Sequence, residues 1–197
     1  MLTREENHLP IRGEEADMLF AGDSLVNAIY QGIKRGIQVT YDNECYGACL
    51  ILIYCGIDAM SFLDMPPSQE KVRAHDFIQW AERYLSPRLK SQATQITGEE
   101  LYSARCGVVH TYTVESRRTK GGGSRKIGYM VGGNCSIAYD PKIDSGTVML
   151  RLETLRDAFV TAIDRFLTEG YADKQKQPIL ETRLRNLLNT IPYEKDV

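Results

Sequence analysis

An arginine and a histidine, Arg105 and His110, stand with four residues between them in the stretch LYSARCGVVHTYTVESRRTKGGGSRK. A histidine titrates near neutrality and is suited to moving a proton during a reaction. An arginine is permanently charged and forked, which suits it to holding an anion and steadying charge on phosphoryl oxygens. Arg117, Arg118, Lys120, Arg125 and Lys126 then fall within ten residues that contain no acid, broken by the glycine run Gly121 to Gly123. Such a run fits a phosphate backbone. A partnered structural arginine, an incidental histidine and a solvated loop would account for the same residues. GGGSRK lacks the GxxxxGK[ST] spacing of a phosphate-binding loop, and GYMVGGN has the wrong spacing for a dinucleotide fingerprint.

The element that carries the pair begins at a T-x-x-E capping box, Thr97 with Glu100. At about 100° per residue, Leu101, Ala104, Arg105, Val108 and Tyr112 share one helical face. Arg105 therefore lies on the stripe that meets the core. A buried guanidinium is costly unless paired, so the position predicts either a carboxylate partner or an opening to a ligand anion. His110 is roughly 140° further round and about 7.5 Å further along, so on an ideal straight helix the two side chains do not converge. It lies beside Ser103 and Gly107, a face of small residues over which another backbone can pass closely. That face is the expected dimer face: a twofold pairing of this helix would gather Arg105 and His110 of both copies into one site.

Around it the hydrophobic period gives the remaining elements. Met18, Leu25, Val26, Ile29, Tyr30 and Ile33 predict an amphipathic helix from Asp17 to about Gly36. NECYGACLILIYCGIDAMSFL is apolar on every side and predicts a central helix ended by Pro66 and Pro67. Ser68 and Glu70 open a third helix with Phe77, Trp80, Ala81 and Tyr84 on its buried face. After the Thr97 helix the period changes to two, and KIGYMV, CSIAY and TVMLRL read as strands of an antiparallel meander. Thr154 caps a helix carrying Leu155, Phe159, Ile163 and Phe166, and Pro178 starts another carrying Leu180, Leu184, Leu187 and Leu188. The expected fold is mainly α: one domain over residues 1–197, a helical bundle with a small antiparallel β-meander (about residues 125–152) after the fourth helix and a polar tail over about residues 1–15.

A net charge of −2 over 197 residues, with 43% hydrophobic residues, excludes a protein that coats nucleic acid through its overall field and confines any such site to a local patch. Five cysteines, an odd number without a CxxC pair and mostly inside apolar segments, read as reduced, buried thiols of a cytoplasmic protein. Cys45 and Cys49 are a helical turn apart but have only the distant His75 and His110 as co-ligands, so neither a metal nor another cofactor is expected. The N-terminal residues lack the apolar core of a signal peptide, and the longest uncharged run, Cys45 to Ile57, falls short of the ~20 residues that span a bilayer. No membrane association is expected.

LYSARCGVVHTYT resembles the R-x4-6-H motif of the HEPN superfamily. CGIDAMSFLDMP and FIQWAERYL extend the likeness, over roughly Glu44 to Arg118, to small bacterial HEPN-like proteins of poorly defined function. The resemblance implies a HEPN-like bundle and a metal-independent endoribonuclease. In it a homodimer assembles the site and Arg105 and His110 are the catalytic pair on an RNA substrate; an antitoxin-type protein would be a regulating partner. In active members the position after the arginine is commonly Asn, Asp or His; here it is Cys106, and a thiol hydrogen-bonds weakly. That departure favours the alternative, a catalytically silent HEPN-like module that binds RNA, a nucleotide or a protein.

Overall fold

Asp23 opens the described part of the chain, residues 23–188 of a computed structural model, and its carboxylate accepts hydrogen bonds from the backbone N–H groups of Leu25 and Val26 (2.9 and 3.2 Å). The expected tail and the Asp17–Met18 helix start lie outside these residues. Helix α1 (Leu25–Arg35) is π-wound and passes directly into α2 (Gly36–Asp42). The exit expected at Gly36 is therefore corrected: Gly36 has ordinary helical dihedrals, and the chain leaves at Asn43 and the left-handed Glu44 (φ 57°).

Helix α3 (Tyr46–Asp64) is the predicted central helix, and Pro66 and Pro67 follow its end. Cys49, Ile53, Tyr54, Ile57 and Met60 are completely buried, on more sides of the helix than a single apolar face would use. By length and composition alone α3 could cross a membrane; here half of its most apolar stretch is enclosed by the protein.

The next helix starts later than expected. Ser68 and Glu70 lie in an irregular segment, and α4 (Ala74–Trp80) begins after Arg73. Asp76 decides this, because its carboxylate accepts both the Arg73 backbone N–H and the Gln69 amide (2.6 Å each). A π-wound segment (Ala81–Leu85) and a short 3-10 turn (Ser86–Arg88) continue it. The predicted face of Phe77, Trp80, Ala81 and Tyr84 is buried, with Trp80 edge-on to Phe159 and Phe166.

Helix α5 (Gly98–Thr111) follows, then a single-turn α6 (Arg117–Lys120). Strands β1 (Lys126–Met130), β2 (Ile137–Ala138) and β3 (Thr147–Arg151) form one sheet in the order β1-β3-β2, with β1 parallel and β2 antiparallel to β3. The antiparallel meander is thus corrected to a mixed sheet. Gly132 and Gly133 have positive φ (74° and 73°), as a tight hairpin would use, but the corner is drawn elsewhere. The Gly132 N–H is held by Glu153 (2.8 Å) and the Gly133 carbonyl by Arg151 (2.6 Å). That leaves β3, with Val148 and Leu150 fully buried, as the central strand.

Helix α7 (Leu152–Ala172) starts directly from β3. Arg151 occupies the cap position expected of Thr154, whose hydroxyl accepts from the Arg151 side chain instead. Helix α8 (Gln177–Leu184) has Pro178 in its first turn as expected, and buries Leu180 and Leu184 while Leu188 is 85% exposed. The fold is mainly helical with a small sheet after the helix that carries Arg105 and His110.

Candidate active site

The capping box holds α5 in place: the Thr97 hydroxyl accepts from the Glu100 N–H (3.2 Å) and the Glu100 carboxylate from the Thr97 N–H (2.9 Å). Leu101, Ala104 and Val108 face the core. Arg105 sits at the edge of that stripe and turns to α3, where Asp58 Oδ2 accepts from its Nε (2.8 Å) and Nη2 (2.7 Å). Of the two outcomes expected for Arg105, a carboxylate partner and an opening to an anion, the carboxylate is present, and the guanidinium side chain remains 21% exposed. Burial works against the Arg105 charge, but the hydrogen bond and charge of Asp58 outweigh it and raise the guanidinium pKa further. Burial likewise pushes the Asp58 carboxyl up, against the lowering effect of Arg105.

His110 does meet Arg105: its Nε2 lies 2.7 Å from Arg105 Nη1. The expectation that they diverge compared helical directions and neglected the reach of a long arginine side chain running along the axis from a residue five positions earlier. Because arginine can only donate, Nε2 accepts in this arrangement, and Nδ1 carries the ring proton. His110 is exposed in the last turn of α5, just before Tyr112 closes the helix in the left-handed conformation (φ 55°).

The small-residue face of α5 is not open to another copy of the chain. Residues 113–116 fold back across it, burying Ser103 and Gly107. The Ser103 and Ser116 hydroxyls pair at 3.0 Å, and a Cβ added at Gly107 would stand 2.5 Å from the Thr113 carbonyl oxygen and 2.8 Å from that of Glu115. The dimer-face assignment of Ser103 and Gly107 is corrected accordingly: a backbone does pass closely over them, and it is the chain's own. Since those obstacles are backbone atoms, Gly107→Ala is expected to destabilise the fold by about 2 kcal/mol, measured by urea unfolding.

This return builds one wall of a surface cleft of about 630 Å³, lined among others by Tyr102, Cys106, His110, Arg117, Arg118 and Lys120. The basic residues expected to act together are thereby sorted. Arg117 lines the cleft and has no acidic partner among the described residues. Arg118 lines it too, but is paired with Glu99 and lies over the Tyr102 ring. Lys120 and Lys126 both approach Glu115 (3.8 and 3.5 Å). Arg125 does not reach the cleft: it is locked onto Glu100, Thr94 and the Gln95 carbonyl and stacks on Tyr139. Its assignment to phosphate binding is corrected, because a buried carboxylate has taken its charge. Lys126 belongs to β1 and also lies outside the cleft lining.

Tyr102, Glu99, Glu115 and above all Asp58 were not singled out from the sequence. Asp58 did carry a signal, being an acid inside the most apolar helix of the chain. The Tyr102 phenol is pushed up first by burial and then by the neighbouring Cys106 thiol, so it stays neutral. Among the described residues no group of three or more His, Cys, Asp or Glu side chains is placed to hold a metal ion, and the expectation of buried cysteines is corrected: Cys49 is buried, whereas Cys45, Cys55 and Cys135 are exposed. No known protein family, curated protein or solved structure matches the chain in comparison.

Proposed function

We propose that the Asp58–Arg105–His110 constellation is an RNA-cleaving site of the HEPN type, acting without a metal. The observation that carries this is the contact between Arg105 and His110, with Asp58 behind it, beside a cleft lined by Arg117, Arg118 and Lys120. The substrate's 2′-oxygen forms a bond to the adjacent phosphorus and the 5′-oxygen leaves, giving a 2′,3′-cyclic phosphate and a 5′-hydroxyl. Arg105 steadies the phosphoryl oxygens, and Asp58 fixes the fork that does so. When the substrate phosphate draws Arg105 Nη1 away, His110 Nε2 takes the proton of the 2′-hydroxyl, and the imidazolium so formed gives a proton from Nδ1 to the departing 5′-oxygen and returns to the neutral ring.

The test is incubation of mixed single-stranded RNA with the purified protein in EDTA, alongside Arg105→Ala and His110→Ala proteins checked for folding. Cleavage that survives chelation, leaves cyclic phosphate ends and disappears in both variants supports the reading. Equal cutting by all three proteins overturns it.

Cys106 supports a second reading, a silent HEPN-like module that binds RNA, a nucleotide or an antitoxin-type protein without cutting, because a thiol replaces the hydrogen-bonding group commonly next to the arginine in active members. A homodimer belongs to both readings, its seam now sought away from Ser103 and Gly107; sedimentation of a fully active protein as a monomer would remove it.

The acids that compensate the basic segment supply a further expectation. Glu115→Gln releases Lys120 and Lys126, and RNA affinity at low salt is expected to rise about threefold to tenfold, with a steeper salt dependence. Unchanged affinity in a fluorescence titration would show that these lysines do not face the substrate.

A further inference from the structure

The cleft contains a feature that phosphate binding leaves unused. Tyr102 is part of its lining, and the Arg118 guanidinium lies over the Tyr102 ring, 5.0 Å from its centroid. On another side the same ring meets Phe77 edge-on at 5.4 Å, and Phe77 is fully buried. Arg118 is held by Glu99, while 45% of its side chain remains open to solvent. The tier therefore runs outward from the core through Phe77, Tyr102 and Arg118.

Arg118 offers more than its charge, which it shares with Glu99. Its flat guanidinium is a different resource. A guanidinium that lies over an aromatic ring and is held by a carboxylate has lost much of its rotamer freedom, so a further planar group can stack on it at little further entropic cost. Unpaired nucleobases stack on arginine planes and aromatic rings in this way, whereas bases within a duplex are already stacked on each other. The cleft volume of about 630 Å³ is within the range of small-molecule sites and is large enough for a nucleotide. Its other lining side chains supply the setting for the rest of that nucleotide: Arg117, which has no acidic partner among the described residues, offers its charge to a phosphate, and His110 stands at the same cleft.

We propose that Arg118, backed by Tyr102 and pinned by Glu99, is a stacking subsite for one unpaired nucleobase next to the phosphate handled by Arg105 and His110. This rests on the phosphate-site reading above and deepens it: Arg118 is a specificity residue for base-bearing single strands, not a further phosphate contact.

The test uses 2′-O-methyl RNA, which cannot be cleaved, as a fluorescein-labelled single strand, as the same strand with abasic sugars, and as a duplex, titrated at several salt concentrations. The wild-type protein is expected to bind the base-bearing strand roughly tenfold more tightly than the abasic one. Arg118→Lys keeps the charge and removes the plane at an exposed position that does not endanger folding. It is expected to bring the two strands within about twofold of each other with the salt slope retained. Tyr102→Leu, which withdraws the support under Arg118, is expected to do the same. Equal wild-type binding to abasic and base-bearing strands, with a steep salt slope, overturns the stacking subsite and leaves the phosphate site standing. Discrimination that survives Arg118→Lys also overturns it. Failure to bind any strand even at low salt overturns both.

Discussion

Arg105→Ala and His110→Ala are each expected to lower chelator-resistant RNA cleavage by at least about 100-fold, the lower end of what a positioned proton donor or a charge-stabilising group contributes. The two losses are not expected to multiply in the double variant, because Arg105 Nη1 and His110 Nε2 are one hydrogen-bonded unit. Arg105→Lys should fall nearly as far as Arg105→Ala: an ammonium keeps the charge but lacks the fork that engages Asp58 through Nε and Nη2 while Nη1 reaches His110. Asp58→Ala separates structure from chemistry. It leaves a half-buried guanidinium unpaired and is expected to cost about 2 kcal/mol of stability, discounted for the one-fifth to one-quarter exposure of the pair. It should also slow cleavage at saturating RNA more than it weakens binding, because Asp58 and Arg105 both lie behind the cleft lining and Asp58 acts through Arg105, which meets the cleft at His110. An Asp58→Ala protein that is destabilised yet cleaves at the wild-type rate would make the Asp58–Arg105 pair a packing device only.

The parts of this arrangement that were legible in the sequence are those decided locally. The Thr97–Glu100 box fixes where α5 starts, and the all-round apolar content of α3 makes it the central helix. That Arg105 needs either a carboxylate or a ligand anion followed from the cost of burying a charge, but which of the two, and which carboxylate, did not, since Asp58 is separated from it by 47 positions and is brought there by the packing of α3 on α5. Ser103 and Gly107 show how correct physics can name the wrong partner. Small residues do admit a close backbone, and nothing in the α5 period distinguishes a second copy from residues 113–116 returning over the same helix. The sheet was misread for a related reason. Strand content depends on a period of two that is visible in the sequence, whereas pairing depends on where a corner is held, and here Glu153 and Arg151 hold it. Counting basic residues likewise overstated the patch, because Glu99 and Glu100 come to Arg118 and Arg125 only on folding, and Glu115, although next to the run in sequence, was left out of the count.

Glu100→Ala is expected to be the most destabilising of the substitutions considered, by about 4 kcal/mol, through two losses at one residue. The Glu100 side chain is 7% exposed, and its carboxylate accepts the Thr97 N–H (2.9 Å), so alanine removes half of the α5 capping box. The same carboxylate receives Arg125 through Nε and Nη2, and that hydrogen bond leads the influences that raise the Arg125 pKa. Without it a largely buried cation keeps only neutral acceptors, the Thr94 hydroxyl and the Gln95 carbonyl, beside the Tyr139 ring. For a chain of this size the loss corresponds to a fall in Tm of roughly 10 °C, measurable by calorimetry together with urea unfolding. Arg125→Met combined with Glu100→Gln should recover part of it by removing the stranded charge, which distinguishes the ion pair from the cap. Arg118→Ala is the contrasting case: its pair with Glu99 is about half exposed, so less than about 1 kcal/mol is expected. If Glu100→Ala were as mild as Arg118→Ala, Arg125 would not be committed to the scaffold, and its exclusion from the proposed RNA site would have to be withdrawn.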